Sequence, residues 1–210
     1  MAHTEHYYTK FEEGQFYHIY NRAVGDQSLF KSDQNFVYFL NKYNHYLSGI
    51  VDTYAYCLLS NHFHLLIRVK ELKEIAIVRE LQKQRHAENE SIHTLVAHQL
   101  QRFFQSYAMA FNKQQQRNGT LFQTPFKRAL ITDDTYFTQI IYYIHANPQN
   151  HNLIDDFRKW KWSSYNSLIS NKPTKLNKAE VLNWFGGADA YCDYHDSHHD
   201  FISHRKLLLE

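Results

Sequence analysis

The spacing of apolar residues divides the first third of the chain into four elements. Residues 15–23 are aromatic and β-branched with an alternating pattern, which predicts a strand. Apolar positions at helical spacing predict a helix over 33–48. Residues 50–59 and 62–69 predict two strands, and the two polar residues between them suit a hairpin turn.

A second helix, a fourth strand and a third helix follow along the chain. Residues 92–115 carry an apolar stripe at helical spacing and predict a long helix. Residues 120–132 predict a strand. The next helix begins after a cap at Asp133 or Asp134 and is predicted to close at Pro148.

The predicted order is β-α-β-β-α-β-α. Four strands whose middle pair is a hairpin predict an α+β fold of the ferredoxin-like or RRM-like kind, with a four-stranded antiparallel sheet and helices on one face. We assign residues 1–170 to one main domain and residues 171–210 to a C-terminal extension, helical over about 177–208.

Composition narrows the setting in which this fold works. The chain has 210 residues, and two cysteines, Cys57 and Cys192, are too few for a disulfide framework, so we expect a reducing compartment. The N-terminus carries no signal-peptide pattern, and no apolar run approaches the roughly 18 residues that a membrane helix needs. We therefore expect a cytoplasmic protein with no membrane partner.

Charge is distributed unevenly, although the net charge is only +2. No Asp or Glu occurs over 91–132 or over 157–178, and both stretches carry Lys, Arg and aromatic residues. Such zones suit a polyanion partner, and solvated helix faces explain them equally well.

Two histidines lie two residues apart in the apolar run "YCLLSNHFHLLIRV". Residues i and i+2 of a strand share one face, so His62 and His64 point the same way, with Cα atoms roughly 6.6 Å apart. That spacing lets two imidazoles converge on one cation. With 15 histidines in the chain, two satisfied histidines on a half-exposed face remain the plainer interpretation of this pair alone.

The helix "DDTYFTQIIYYIHANPQN" places a phenol and an amide together. At about 100° per residue, Tyr143 and Asn147 lie about 40° apart on one flank of the apolar stripe, whereas Tyr142 lies about 140° from Asn147, near the outer side. Taken alone, this pair is equally an ordinary boundary tyrosine and an asparagine before Pro148.

Together these blocks resemble a known family. "YCLLSNHFHLLI" is similar to the His-hydrophobe-His strand of HUH single-tyrosine transposases, and "YYIHANP" is similar to the tyrosine helix of the REP-associated tyrosine transposases. The blocks "YHIYNRA", "GTLFQTPFKRALI" and "WKWSSY" also occur in the order that family shows. The resemblance covers about residues 14–170.

The resemblance implies a metal-dependent endonuclease and strand transferase acting on single-stranded or hairpin DNA. It implies Tyr143 as the nucleophile that forms a covalent 5′-phosphotyrosine, and His62, His64 and Asn147 as ligands of Mg²⁺ or Mn²⁺. Two imidazoles and an amide would also tolerate Zn²⁺, Ni²⁺ or Co²⁺. The resemblance leaves a homodimer open alongside a monomer.

Candidate DNA contacts fall in the same blocks. Basic side chains near strand ends and aromatic side chains that could stack on bases are Arg22, Lys127, Arg128, Phe122, Trp160 and Trp162. Each is also explicable as core or ordinary surface. The four histidines of "YHDSHHDFISHRK" fit a solvated helix better than a metal cluster.

Two other functions are compatible with the same sequence. One is a nucleic-acid binding module on this sheet fold without chemistry, which would bind DNA without metal. The other is a metallohydrolase that uses water in place of Tyr143, which needs a general base near the metal, where the sequence offers no obvious Asp or Glu.

Overall fold

The computed structural model describes residues 9–81 and 91–197. Its strands and helices, in chain order, are β1 Phe16–Arg22, α1 Asp33–Leu47, β2 Val51–Leu58, β3 His62–Val69, α2 Leu72–Leu81, α3 Ile92–Gln114, β4 Lys127–Ile131, α4 Asp134–Asn150, α5 Tyr165–Ile169, α6 Lys178–Phe185 and α7 Ala188–Ser197. A short 3-10 turn, Phe157–Lys159, precedes α5.

The four strands form one antiparallel sheet in the order β2-β3-β1-β4. This is the ferredoxin-like order, which confirms the predicted fold class. The hairpin between β2 and β3 is also present, closed by hydrogen bonding of the Leu59 N–H to the His62 carbonyl.

One face of the sheet packs against α1 and α3. The side chains that meet there are mostly aromatic, so ring contacts fill the layer; Phe39 of α1, for example, lies 5.0 Å from Phe63 of β3 and 4.8 Å from Phe103 of α3 between ring centroids. Ser91 caps α3 by accepting a hydrogen bond from the Thr94 N–H.

The opposite face of the sheet packs against α4. Leu66 of β3 shares a buried cluster with Ile140, Ile141 and Ile144 of α4. Helices therefore cover both faces, and the prediction of helices on one face holds only for α1 and α3. The physical reason is that α4 has an apolar stripe of its own, which is buried against this face of the sheet around Leu66.

The fourth strand is shorter than the predicted 120–132. Leu121 and Phe122 approach the chain after β1 through a hydrogen bond from the Val24 N–H to the Leu121 carbonyl and an isolated bridge with Ala23. Pro125 lacks an N–H and interrupts the pairing, so a regular ladder starts only at Lys127.

The helix α4 continues past the predicted stop at Pro148 to Asn150. Proline removes one backbone donor, but the His151 N–H still donates to the Asn147 carbonyl, so the turn closes. At the other end, Asp133 is the cap, and its side chain accepts from the Tyr136 N–H.

The segment after α4 covers the free edge of β2. The Leu58 N–H donates to the Trp162 carbonyl, and the Ser164 N–H donates to the Tyr56 carbonyl. The later helices α6 and α7 contribute Val181 and Tyr191, both fully buried, to the apolar cluster that contains the α4 side chains. Residues 198–210 of the predicted C-terminal helical region lie outside the described residues, and the domain boundary near residue 170 stays a prediction.

Candidate functional site

The two histidines of β3 lie on the sheet face that α4 covers. Alternation along β3 turns Phe63 toward α1 and α3 and leaves His62 and His64 on the other side, as predicted. Their rings lie 5.2 Å apart at an interplanar angle of 87°. Only 6% and 4% of these side chains are exposed, so they are not half-exposed surface histidines.

The helix α4 brings its amide and its phenol to the same place. The apolar stripe of α4 packs on the sheet, which presents the adjoining flank to the histidines. His62 Nε2 lies 3.4 Å from Asn147 Oδ1, and the Tyr143 ring meets the His64 ring edge-on at 5.5 Å between centroids. Asn147 also donates from Nδ2 to the Tyr143 carbonyl at 3.2 Å, which fixes the orientation of its amide.

The two adjacent tyrosines of α4 face different surroundings. Tyr143 lies against His64, whereas Tyr142 packs against Phe157 and His195. Tyr142 is buried and not near the outer side as predicted, because α7 packs over that side of α4. The two phenols thus differ in their neighbours, and the ring contact with the histidine pair is made by Tyr143.

Burial keeps both histidines neutral at pH 7. Loss of solvent, together with the nearby His151 and Arg22, lowers the pKa of His62 to about 4. Loss of solvent likewise holds the pKa of His64 well below 6.5, with His18 as its next largest cause. A neutral imidazole offers one ring nitrogen as an electron-pair donor, which is the form that binds cations.

The donor atoms fit a cation between them. His62 Nδ1 lies 2.7 Å from Asn61 Oδ1, an acceptor, so the ring proton belongs on Nδ1 and Nε2 carries a lone pair. This lone pair faces Asn147 Oδ1, a second acceptor, an arrangement that repels unless a positive charge lies between them. His64 Nε2 is also buried and has no hydrogen-bond partner among the described residues.

The candidate donor set is therefore small and uncharged. Within residues 9–81 and 91–197, no three His, Cys, Asp or Glu side chains converge as a metal site, so the set consists of the two imidazoles and the Asn147 amide oxygen. Three neutral protein donors leave further coordination positions and the full cation charge available to a phosphate, unlike a closed structural zinc site.

A pocket of about 110 Å³ opens beside the histidines. Arg22 and Lys127, two of the predicted DNA contacts, line it together with Tyr20, and the Lys127 ammonium lies 5.4 Å from the Tyr20 ring centroid. The cationic side chains of Arg22 and Lys127 therefore line the same pocket as His62 and His64.

Other predicted DNA contacts lie elsewhere. Arg128 follows Lys127 on β4 and so points to the opposite face, where its guanidinium packs on Phe11 and Phe126. Phe122 is 5% exposed and contacts Phe63 in the core, so it offers no open surface for a base.

The two tryptophans lie near the edge of β2. Trp160 donates from its ring nitrogen to the Leu58 carbonyl at 3.0 Å. Trp162 stacks on Phe36 at 4.5 Å and 6°, and the Lys161 ammonium lies over the Trp162 ring, 4.7 Å from its centroid. Both are half-buried and bind neighbouring protein groups.

Three further residues complete the surroundings of the site. His18 lies 2.9 Å from His64 Nδ1 through its Nε2, Asn61 contacts His62, and the His151 ring lies 4.8 Å from the His62 ring. The sequence pattern missed all three as site residues. Alternation in "YHIYNRA" puts His18 on one face with Arg22, but its neighbour is set by the register between β1 and β3.

Known proteins are similar to this chain both in sequence and in structure. The chain is 26% identical over 140 residues to a REP-associated tyrosine transposase of Haemophilus influenzae, which covers 66% of this chain and 69% of that protein. It shares its fold, at a TM-score of 0.55 and 12% identity, with a REP-associated tyrosine transposase solved bound to a REP hairpin, over 79% of this chain and 86% of that one. No family model matches.

No helix of the described part is long and apolar enough to cross a bilayer.

Proposed function

We propose that this chain, as a relative of the REP-associated tyrosine transposases, is a metal-dependent single-stranded DNA endonuclease and strand transferase. Its substrates would be hairpin-containing DNA ends. The observation that carries the proposal is the meeting of His62, His64, Asn147 and Tyr143, from a strand and a helix about 80 residues apart in sequence, at one buried point. Similarity to a protein solved with a REP hairpin supports the substrate class.

His62, His64 and Asn147 would hold the divalent cation, Mg²⁺ or Mn²⁺, and the resemblance favours these two over other metals. When bound, the cation supplies positive charge that makes a phosphate more electrophilic. The partner-free Nε2 of His64 and the facing acceptors of His62 and Asn147 support this donor set.

Tyr143 would carry the covalent step. Its hydroxyl oxygen forms a bond to phosphorus as the bond between phosphorus and the 3′ oxygen breaks. The phenol proton passes to solvent and the leaving 3′ oxygen takes up a proton, which gives a 5′-phosphotyrosine and a free 3′-hydroxyl. The phosphodiester bond is conserved in the tyrosine ester, so a later 3′-hydroxyl can reverse the attack and join strands.

The pocket wall would bind the DNA backbone. Arg22 and Lys127 line the pocket and present cations to phosphates near the histidines. Trp160 and Trp162 remain candidates for stacking at the half-exposed edge. We place the activity in the 1–170 catalytic domain of a cytoplasmic protein, and a homodimer is an open alternative to a monomer.

The decisive experiment incubates the protein with a single-stranded hairpin oligonucleotide and Mn²⁺, and looks for a covalent protein–DNA adduct on a denaturing gel. Tyr143→Phe should abolish the adduct, and Tyr142→Phe, the adjacent matched control, should retain it. An adduct that persists in Tyr143→Phe contradicts the assignment of the nucleophile.

The same assay separates the two alternative functions. A binding module without chemistry would retain the hairpin in EDTA, survive His62→Ala and give no cleavage. A metallohydrolase using water would cleave the oligonucleotide with Mn²⁺ in Tyr143→Phe and leave no adduct in the parent protein.

A further inference from the structure

A third buried histidine contacts the histidine pair from the neighbouring strand. His18 lies in the middle of β1 and shares a sheet face with His64, because Tyr20 is the register partner of His64 and His18 is two residues away. His18 Nε2 and His64 Nδ1 are 2.9 Å apart, their rings are nearly parallel at 18°, and His18 is fully buried.

The contact constrains which ring nitrogen of His64 holds its proton. A nitrogen–nitrogen contact at this distance needs one donor and one acceptor, and each neutral imidazole has one of each. If His18 donated, the His64 proton would be on Nε2, which has no hydrogen-bond partner among the described residues, and no lone pair would face the cation site. The opposite direction puts the His18 proton on Nδ1, which is also buried, so the cation site and not burial decides between the two. If His64 donates from Nδ1, its Nε2 instead carries a lone pair, and a cation can satisfy it.

We infer that His18 is a positioning residue that accepts a hydrogen bond from the Nδ1–H of His64 and thereby holds the His64 Nε2 lone pair toward the cation site. This inference rests on the proposed metal-dependent function. It adds a residue outside the two-histidine and asparagine donor set, and His18 itself contacts no cation in this role.

The arrangement around His62 supports the same logic. Asn61 Oδ1 accepts from His62 Nδ1, as His18 Nε2 accepts from His64 Nδ1. Each candidate histidine ligand thus has its own hydrogen-bond partner on Nδ1, and in both rings Nε2 is left as the atom that can donate an electron pair to a cation. Pairing the far nitrogen of a ligating histidine in this way fixes its tautomer and raises its basicity.

Packing holds the His18 ring in this position. His18 stacks on Tyr20 at 4.8 Å and 18°, and Tyr20 lies nearly parallel to His64 at 5.7 Å. The Tyr143 ring meets His18 edge-on at 6.1 Å. A phenylalanine at position 18 would keep an aromatic ring in this stack but remove the acceptor.

The first test measures Mn²⁺ affinity by calorimetry on the full chain. We expect His18→Phe to weaken Mn²⁺ binding by about 10- to 100-fold, the usual effect of losing the partner of a ligating histidine. His18→Gln, whose amide oxygen can accept a hydrogen bond, should recover part of the loss. His98→Gln, at an exposed position of α3, should bind Mn²⁺ as the parent does.

Kinetics provide a readout that general loosening of the fold would not give. The Mn²⁺ concentration for half-maximal hairpin cleavage should rise in His18→Phe, while the rate at saturating Mn²⁺ stays near the parent rate. Hairpin binding in EDTA should be unchanged. A lowered rate at saturating Mn²⁺ with an unchanged half-maximal concentration would overturn the inference.

The wild-type protein gives a test that does not depend on a variant folding. Long-range ¹H–¹⁵N spectra of the metal-free protein at neutral pH should show His64 protonated on Nδ1, and protonation on Nε2 overturns the inference. His64→Ala separates failure of the His18 role from failure of the proposed metal site. If it loses Mn²⁺ affinity and His18→Phe does not, only the His18 role fails; if His64→Ala also binds normally, the proposed metal site fails with it.

Discussion

Acidification should destabilise the metal-free protein through its buried histidines. His62 has a pKa of about 4 in the folded chain, lowered chiefly by burial, against an ordinary value of 6.5. The unfolded chain therefore takes up a proton at a pH where the folded chain does not. The contribution of neutral His62 to the free energy of unfolding is present above pH 6.5. It is lost as the pH falls below 6.5, and the loss ends near pH 4.

The size of the effect follows from that difference in pKa. At about 1.36 kcal/mol per pH unit, His62 alone should lower the free energy of unfolding by about 2 kcal/mol between pH 7 and pH 5. Burial lowers the pKa of His64 and His145 in the same direction, so the total fall should exceed that of His62. The lowered pKa of Asp52 acts only below its ordinary value of 3.8, outside this window.

Urea unfolding at pH 7, 6 and 5 in EDTA measures the fall. In His62→Gln the difference between pH 7 and pH 5 should shrink by about 2 kcal/mol relative to the parent. His45→Gln, an exposed position near the end of α1, should leave the difference unchanged. A parent protein equally stable at pH 7 and pH 5 would refute the claim that these histidines are buried and neutral.

Two further predictions concern the surroundings of the site. Ser164→Ala should lower the free energy of unfolding by about 1–3 kcal/mol in urea titrations, because the Ser164 hydroxyl bonds both the Tyr56 N–H and the buried His145 ring, and both groups would lose a partner. Lys127→Ala should weaken hairpin binding and reduce the slope of log affinity against log salt concentration by about 1. The control, Lys73→Ala, lies at the start of α2 beyond the far end of β3 and should change neither quantity. Equal slopes in the parent and Lys127→Ala would contradict a phosphate contact.

Local periodicity was sufficient for the parts of the site that lie within one element. The period of two along β3 put His62 and His64 on one side, and the helical period of α4 put Tyr143 and Asn147 on one flank. The sequence also indicated the sheet order, because a hairpin between two crossover helices leaves few topologies.

Pairing between elements was not readable from the sequence. His18 reaches His64 only through the register of β1 against β3, and a shift of one residue would turn it to the other face. Lys127 and Arg128 show the same limit, since adjacent strand residues must face opposite sides and nothing local says which side holds the site. Phe122 became core because aromatic side chains of α3 and β3 surround it.

The C-terminal histidines show how packing overrides composition. In a stretch expected to form a solvated helix, His195 is fully buried and its Nε2 lies 3.0 Å from His145 Nδ1, while Tyr191 contacts the same nitrogen. The two glycines that end α6, both at positive φ, turn the chain so that α7 packs back on α4. The side of α4 that faces away from the sheet is thereby covered by α7.

Burial of the histidine pair has two consequences that share one cause. Removing water from His62 and His64 disfavours their protonated forms, so the folded chain loses stability in acid. The same removal leaves neutral rings whose Nε2 atoms can bind a cation at neutral pH, because a proton and a metal compete for one lone pair. In the folded chain a proton competes for His62 only near pH 4, so Mn²⁺ affinity should hold while metal-free stability declines between pH 6.5 and about pH 5. Bound Mn²⁺ should add stability throughout that range. A site of exposed histidines would do the reverse and lose metal as the pH falls below 6.5 without a fall in stability, so measuring Mn²⁺ affinity and stability on one pH series distinguishes the buried arrangement.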